Sequence, residues 1–357
     1  MKKNKSKNFF KANQDKLILA AVFLVIFIGL IFYINRSKES AAPTIETVVE
    51  NQEKLEDVLR RKIDGQIILE SEENIYPIAI MVENAVDAWP LSGLDKADLV
   101  IEAITESSIP RFVAIYATGQ DVDKIGPVRS ARPYYLDWIE PLNPVYMHVG
   151  GAPEALASIK SGKRQLIDLD QFFHYQYYWR DNKWRYAPHN VYTSSELLKE
   201  VLADKELTQP TDYPAWQYKD DLEPEQRPED VADINIFYTQ DYYKVTWKYN
   251  QEENNYIRYQ RDKINKMSDG EWIKAKNIIV QVNKMKVIDE VGRKKINTTG
   301  EGQAWIFRDG EVVEAKWQKN AKKSRTKYFD QNGTELKFNA GKTWIEVVPD
   351  KDYLSYQ

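Results

Sequence analysis

The densest group of residues that could do chemistry lies between positions 126 and 190. Four short segments there combine glycine, arginine, histidine or aspartate, and they read GPVRSARP, HVGG, DLD and RYAPHN. Glycine backbone N–H groups and arginine guanidinium groups both donate hydrogen bonds, which suits an anionic or hydroxyl-rich ligand. The alternative is that the glycines only make tight turns and the arginines form surface ion pairs. The predicted ligand-binding residues are Arg129, Ser130, Arg132, His148, Gly150, Gly151, Asp168, Asp170, Arg185, His189 and Asn190.

Arg129 and Arg132 stand three positions apart, directly after a Gly-Pro turn. In a turn or at the start of a helix, side chains with this spacing can point to one side, so both guanidinium groups could hold one anion. A phosphate, a sulfate or a carboxylate of a wall peptide would fit such a pair. The alternative is that each arginine pairs internally, with Glu102, Glu106 or Asp137 as a partner.

The histidines admit three interpretations. His148 follows an apolar strand and precedes two glycines, and α/β folds usually place ligands at such strand ends. With His189 and either Asp168 or Asp170 it could bind a metal ion or act in general acid–base catalysis. A purely structural hydrogen bond is the third interpretation. Because the spacing matches no known ligand motif, no metal is predicted.

Other catalytic arrangements have less support in the sequence. Ser130 is a conceivable nucleophile, but no Gly-x-Ser-x-Gly turn surrounds it and no base is identifiable. Glu83, Glu102 and Glu106 could supply the paired carboxylates of a glycoside hydrolase, although acids near strand ends are more often solvated or paired with arginine. Neither a P-loop nor a Gly-x-Gly-x-x-Gly motif follows a strand, so no cofactor is predicted. No catalytic residue is assigned.

An aromatic tract follows the aspartates. Residues 172–186 read FFHYQYYWRDNKWRY, which places eight aromatic residues around two arginines and a lysine. Aromatic faces beside hydrogen-bonding groups suit sugar rings and protein interfaces. The alternative is a loop that covers the domain core.

Charge and composition exclude several classes of protein. Residues 1–34 carry six lysines and one aspartate, about +5, which leaves about −9 on the rest of a chain whose net charge is −4. Nucleic-acid binding depends on lysine and arginine displacing counterions, so no nucleic-acid partner is predicted. The chain contains no cysteine, which excludes disulfides, thiolate metal sites and a cysteine nucleophile. An exported chain without cysteine fits a Gram-positive envelope.

Residues 17–34 predict a transmembrane helix. They form an uncharged run of eighteen residues, which as a helix would span about 27 Å, close to the thickness of a bilayer core. The lysines before this run predict a cytoplasmic N-terminus, so the protein is expected to be a single-pass cell-membrane protein with extracellular domains. The alternative is a cleaved signal peptide, which the length of the run and Pro43 disfavour.

The elements beyond the membrane segment predict two folded domains. Segments such as IAIMVEN, ADLVIEAIT and RFVAIYAT indicate strands, whereas PYYLDWIEPL, PEALASIKSG and SSELLKEVLADKEL indicate helices. Later segments are short and β-branched, with Asp-Gly and Asn-Gly hairpin signals. The predicted fold class is a mixed α/β (α+β) N-terminal domain followed by a mostly-β C-terminal domain, behind one transmembrane helix. The predicted divisions are a basic tail at 1–16, the transmembrane helix at 17–34, a linker and stalk helix at 35–74, the mixed α/β domain at 75–206, a linker at 207–232 and the mostly-β domain at 233–357.

Several of these segments resemble a known family. YPIAIMVEN, IGPVRSARPYY, VYMHVGG, APHNVYTS and GEGQAWIFRDG, in this order within residues 76–350, are similar to the YerB-like family of bacterial lipoproteins. The resemblance implies the N- and C-terminal domains of unknown function 3048, on the outer face of the membrane. It implies no established activity, substrate or catalytic residue. Lipoproteins attach through a lipidated cysteine, which this chain lacks, so the predicted helix would replace the lipid.

Two functions are compatible with these patterns. The first is a membrane-tethered module that binds an envelope glycan, an anionic polymer or a protein. The alternative is an extracytoplasmic hydrolase or transferase that acts on cell-wall material, with His148, His189, Asp168 and Arg129 in its site. The sequence leaves open whether the protein is an enzyme.

Overall fold

The computed structural model of this protein describes residues 59–69, 76–207, 212–238 and 241–356. The predicted cytoplasmic tail, the predicted transmembrane helix at 17–34 and most of the predicted linker and stalk helix lie outside these residues. Residues 59–69 form a turn that a bridge between Arg60 and Ile67 closes, so this end of the predicted stalk segment is not helical.

Three α-helices occur in the described residues: α1 at Pro133–Ile139, α2 at Pro153–Lys160 and α3 at Ser195–Asp204. Both α1 and α2 begin at proline, whose fixed φ suits the first helical position and whose missing N–H is not needed there. The Ser194 hydroxyl accepts a hydrogen bond from the Leu197 N–H and caps α3. All three coincide with segments whose sequence indicates a helix.

Most of the described residues in regular structure lie in strands. In chain order the strands are β1 Ile78–Val82, β2 Leu99–Ile104, β3 Pro110–Tyr116, β4 Val145–His148, β5 Ile167–Asp170, β6 Trp179–Arg180, β7 Val191–Tyr192, β8 Gln217–Lys219, β9 Ile234–Phe237, β10 Lys244–Asn250, β11 Asn255–Gln260, β12 Lys263–Ile264, β13 Lys274–Ala275, β14 Asn277–Val282, β15 Met285–Val287, β16 Lys294–Ile296, β17 Gly300–Arg308, β18 Glu311–Lys319, β19 Lys327–Phe329, β20 Lys337–Asn339, β21 Thr343–Val348 and β22 Leu354–Ser355.

One ten-stranded sheet contains strands from both halves of the chain. Its order is β19-β18-β17-β14-β21-β2-β3-β1-β4-β5. Strand β21 lies between β14 and β2 and runs parallel to both. The sheet is therefore continuous across the two predicted domains, and the residues from Leu59 onwards form one compact unit.

Both faces of this sheet are covered. On one face a second sheet, β12-β11-β10-β9-β22 with β13 on β11, packs against it, and the Trp247 ring of β10 lies edge-on to Trp344 of β21. On the other face Tyr135 and Trp138 of α1 are buried against the strands. This double cover explains why every residue of β1, β2 and β3 is buried and why these strands are apolar apart from Glu102 and Arg111.

The predicted fold class is wrong, because the regular structure of the described residues is mostly strands, with few helices. Alternating strand and helix segments predicted a mixed α/β domain, but β2 and β3 pair antiparallel through a short connection with no α-helix, and β1 also pairs antiparallel with β3. A second sheet, rather than a layer of helices, covers one face of the large sheet. No helix within the described ranges is long and apolar enough to cross a membrane, and the segment predicted to do so, at 17–34, lies outside those ranges.

Candidate functional site

A cleft of about 500 Å³ opens at the edge of the large sheet where β1 and β2 end and β3 begins. Because β3 runs antiparallel to both neighbours, residues that follow β1 and β2 lie beside the first residues of β3. We call it the arginine cleft. Its charged and histidine side chains are Glu83, Asp87, Glu106, Arg111, Arg129, Arg132, His189 and Arg293.

The GPVRSARP segment crosses the cleft as an extended strip. Val128 bridges Val82 at the end of β1, and Ala131 bridges Gly151. A Cβ on Gly151 would lie 3.0 Å from the Ala131 Cβ, so this glycine lets the two segments approach closely. The strip then continues into α1, which fixes the positions of both of its arginines.

Arg129 lies against a carboxylate that also holds a histidine. Arg129 Nε lies 2.9 Å from Glu83 Oε1. The two groups form an ion pair, but their orientation does not make a hydrogen bond. His189 Nδ1 is 2.9 Å from Glu83 Oε2, and Glu83 is almost fully buried. If Nδ1–H donates to this carboxylate, Nε2 is left as an acceptor.

Arg132 forms a two-pronged ion pair. Its Nε and Nη2 donate to the two carboxylate oxygens of Glu106, both at 2.7 Å. Burial opposes ionisation of Glu106, but the hydrogen bonds and the charge of Arg132 outweigh it and lower the pKa of that carboxyl. This pairing is among the internal alternatives that the sequence suggested for Arg132.

Arg111 is the third arginine of the cleft, and the sequence did not single it out. It is only 7% exposed, and its Nη1 donates to the Ser130 carbonyl at 3.1 Å. No carboxylate in the described part of the chain lies within ion-pair distance of it. Burial together with the nearby charges of Arg132 and Arg129 lowers the pKa of Arg111 to about 10. The sequence feature that could have drawn attention to Arg111 is its position as a single charge at the start of the otherwise apolar strand β3.

His148 and the two aspartates lie away from the cleft lining. His148 is fully buried, with Nε2 2.7 Å from Asp168 Oδ1 and Nδ1 2.8 Å from the Gly150 carbonyl oxygen. Asp170 accepts a hydrogen bond from the Gly150 N–H. Both ring nitrogens are therefore engaged, and these contacts brace the turn after β4. In the described ranges no group of three or more His, Asp or Glu side chains could hold a metal ion.

The remaining predicted residues support the loop beside the cleft. Arg185 donates to the Tyr192 hydroxyl at 2.8 Å and to the Pro90 carbonyl at 2.7 Å. The Asn190 side chain accepts from Arg180 at 2.8 Å. Of the eleven predicted site residues, those that line the cleft are Arg129, Ser130, Arg132, Gly151 and His189.

The aromatic tract at 172–186 divides into two sets. Tyr177 and Tyr178 are buried in the core, as expected for a loop that covers it. Phe173, Trp184 and Tyr186 are 78%, 76% and 82% exposed. The tract thus contributes both to the core and to an aromatic surface.

Comparison with known proteins gives consistent results. Two family models match this chain. The N-terminal domain of the protein of unknown function (DUF3048) matches residues 65–208, and its C-terminal domain matches residues 234–345. "Putative lipoprotein YerB" of Bacillus subtilis is 32% identical over 289 residues, which cover 78% of this chain and 83% of the relative. The crystal structure of the YerB protein from Bacillus subtilis superposes with a TM-score of 0.74 at 28% identity, covering 84% of this chain and 99% of that chain. The chain belongs to the YerB-like DUF3048 family.

Proposed function

We propose that this protein is a membrane-associated, extracytoplasmic protein that binds an anionic group of an envelope component in the arginine cleft. The observation that carries the proposal is Arg111, a buried cation without a carboxylate partner in the described residues. A relative that is named a lipoprotein supports the location.

The charges around Arg111 leave a place for an anion. Glu83 already contacts Arg129 and His189, and Glu106 is fully engaged by Arg132. Burying an unpaired ion costs several kcal/mol even after relaxation. A bound carboxylate or phosphate would supply the missing counter-charge, and guanidinium groups bind both with two-pronged geometry.

Replacing Arg111 tests this proposal. Arg111→Gln removes the charge, while the Ser130 carbonyl still accepts a hydrogen bond from Arg132 Nη1 at 3.3 Å. We expect thermal unfolding of the wild type to shift upward in millimolar phosphate, since a ligand that binds only the folded state stabilises it. The variant should lose that shift and keep the stability of the unliganded protein, because no internal ion pair is broken.

Arg164→Gln is the matched control. Arg164 is also largely buried, but it contacts Asp137 and Glu140, each at 2.6 Å. This variant should lose several kcal/mol and retain the phosphate response. The proposal fails if Arg111→Gln is the strongly destabilised variant, or if the wild type responds to neither phosphate nor acetate.

A second candidate function rests on the Glu83–His189 pair. His189 lines the cleft, and its Nδ1 is held by Glu83. A carboxylate that holds one imidazole nitrogen leaves the other able to accept a proton, as general base catalysis requires. A water molecule would lose one proton to His189 Nε2 as its oxygen bonds to the phosphorus of a phosphoester held by the arginines. The P–O bond to the alkoxide would break, and the alkoxide would take up that proton from His189 and leave as the alcohol. This would make the protein a hydrolase of envelope phosphoesters.

Hydrolysis of bis(p-nitrophenyl) phosphate tests the catalytic candidate. Release of p-nitrophenol by the wild type should be lost in His189→Gln, while the upward shift in unfolding temperature with phosphate remains. An inactive wild type, or a His189→Gln variant with full activity, would rule out this role for the histidine.

A further inference from the structure

A second cleft of about 640 Å³ adjoins the arginine cleft. The two share Arg132, Ala152 and Arg293 as lining residues. Hairpin β15–β16 lies at their junction, since Val291 of its turn lines the first cleft and Ile288 the second. The two clefts are therefore adjacent and share part of their walls, and together we call them the groove.

The second cleft is rich in positive charge. Its basic residues are Arg132, Arg293, Lys294, Lys295 and Lys322. Its acids are already in contact with other groups: Asp137 Oδ1 is 2.6 Å from Arg164, and Glu154 is 3.9 Å from Arg293. The chain as a whole is acidic, so this concentration of cations is a local feature.

The hairpin places like charges opposite each other. Lys286 of β15 is the direct cross-strand partner of Lys295 of β16. Like charges in this position destabilise a strand pair. Lys294 and Lys295 form no ion pair within the described residues. A ligand with negative charge would relieve this repulsion.

The volume of the groove sets the size of its ligand. One water molecule takes up about 30 Å³ in the liquid, so a single phosphate would fill only a small part of a cleft of about 500 Å³. Pockets of several hundred Å³ suit ligands with many atoms. Two separate groups of basic residues in one groove, Arg111 in the first cleft and Lys294 and Lys295 in the second, suit a ligand with more than one anionic group.

We propose that the two clefts together bind a linear polymer with repeated phosphate groups, with one phosphate at Arg111 and a later one at Lys294 and Lys295. This inference rests on the proposed function of the arginine cleft. Lysine and arginine both bind phosphate well, whereas planar carboxylates favour arginine. Single-stranded nucleic acid is a poorer fit, because it needs aromatic surfaces on which bases stack. Among the described residues that line either cleft, Tyr134 is the one Phe, Tyr or Trp.

A series of phosphate chains tests the polymer. Inorganic phosphate, tripolyphosphate and long-chain polyphosphate are titrated into the protein by calorimetry at fixed salt. A chain long enough to reach Lys294 and Lys295 as well as Arg111 should bind more tightly. We expect the affinity for long-chain polyphosphate to exceed that for inorganic phosphate by at least about tenfold. Lys294→Gln/Lys295→Gln should remove this gain and leave binding of inorganic phosphate unchanged.

Lys160→Gln/Lys163→Gln is the control, since it removes the same charge from exposed lysines that line neither cleft. This variant should bind every chain length as the wild type does.

The polymer proposal is overturned if affinity does not depend on the length of the phosphate chain, or if Lys294→Gln/Lys295→Gln keeps the full gain in affinity. In either case, phosphate binding that depends on Arg111 would still support the proposed function of the arginine cleft. If no phosphate compound binds, both proposals fail. Tighter binding of oligothymidylate than of polyphosphate of equal charge would also overturn the polymer.

Discussion

Arg258 and Glu102 form a fully buried ion pair between the two sheets. Arg258 Nη2 of β11 lies 3.1 and 2.9 Å from the two carboxylate oxygens of Glu102 in β2. Glu346 of β21 stands directly across from Glu102 in the strand register. Burial raises the pKa of Glu102 well above its usual range; the charge of Arg258 opposes this rise, and that of Glu346 adds to it.

Arg258→Met should destabilise the protein by about 3 to 5 kcal/mol at neutral pH, because it leaves a buried carboxyl without its counter-charge. The folded pKa of Glu102 is raised above its unfolded value, so its contribution to stability is complete in acid and declines as the pH rises towards the folded pKa. Losing Arg258 raises that pKa further. The deficit should therefore be smaller at pH 4 than at pH 8, as urea unfolding at both pH values would show.

Arg261→Met serves as the comparison, since Arg261 is exposed and lies over the Tyr242 ring. Its change in stability should stay below about 1 kcal/mol. Equal stability of Arg258→Met and the wild type at pH 8 would contradict a role for the ion pair in joining the sheets.

The sequence predicted part of the candidate site at this scale. Arg129, Arg132 and His189 stood out because they lie in compact motifs with glycine and proline. Arg111 did not, because its importance depends on neighbours from other segments: it lies beside two arginines that follow it by 18 and 21 positions. Glu83 and His189 are 106 positions apart, and no local pattern joins them.

At the scale of elements, local patterns identified helices and strands better than their arrangement. The segments predicted as α1, α2 and α3 are helical, since proline or serine marks each start. Strand order was not predictable, because parallel partners such as β2 and β21 lie far apart in sequence. The fold class was wrong for the same reason: which element covers a sheet face depends on contacts that are remote along the chain.

At the scale of the whole molecule, the large sheet joins the regions that match the two family domains. The domain division at 207–232 stays a prediction about separate folding units. In the structure, β2 pairs with β21 along five residue pairs, and Glu102 is held by Arg258 and Trp344. Each of these contacts crosses that division.

We therefore expect a fragment of residues 59–207 to lack a cooperative unfolding transition. It would expose the edge of β2 and leave Glu102 buried without its partners or open to water. The fragment 59–357 should unfold cooperatively under the same urea gradient. A well-dispersed NMR spectrum from 59–207 alone would show instead that the N-terminal region is an independent unit.

The central place of β21 also has a consequence for biogenesis. Thr343–Val348 is the last strand of the large sheet to leave the ribosome or to emerge on export, yet it occupies an interior position between β2 and β14. Until it arrives, the sheet consists of two halves with unpaired edges, which can associate with other chains. Completion must also wait for contacts of high sequence separation, which slows folding. The large sheet is thus incomplete until β21 has emerged, and protection of its unpaired edges by a chaperone matters most up to that point.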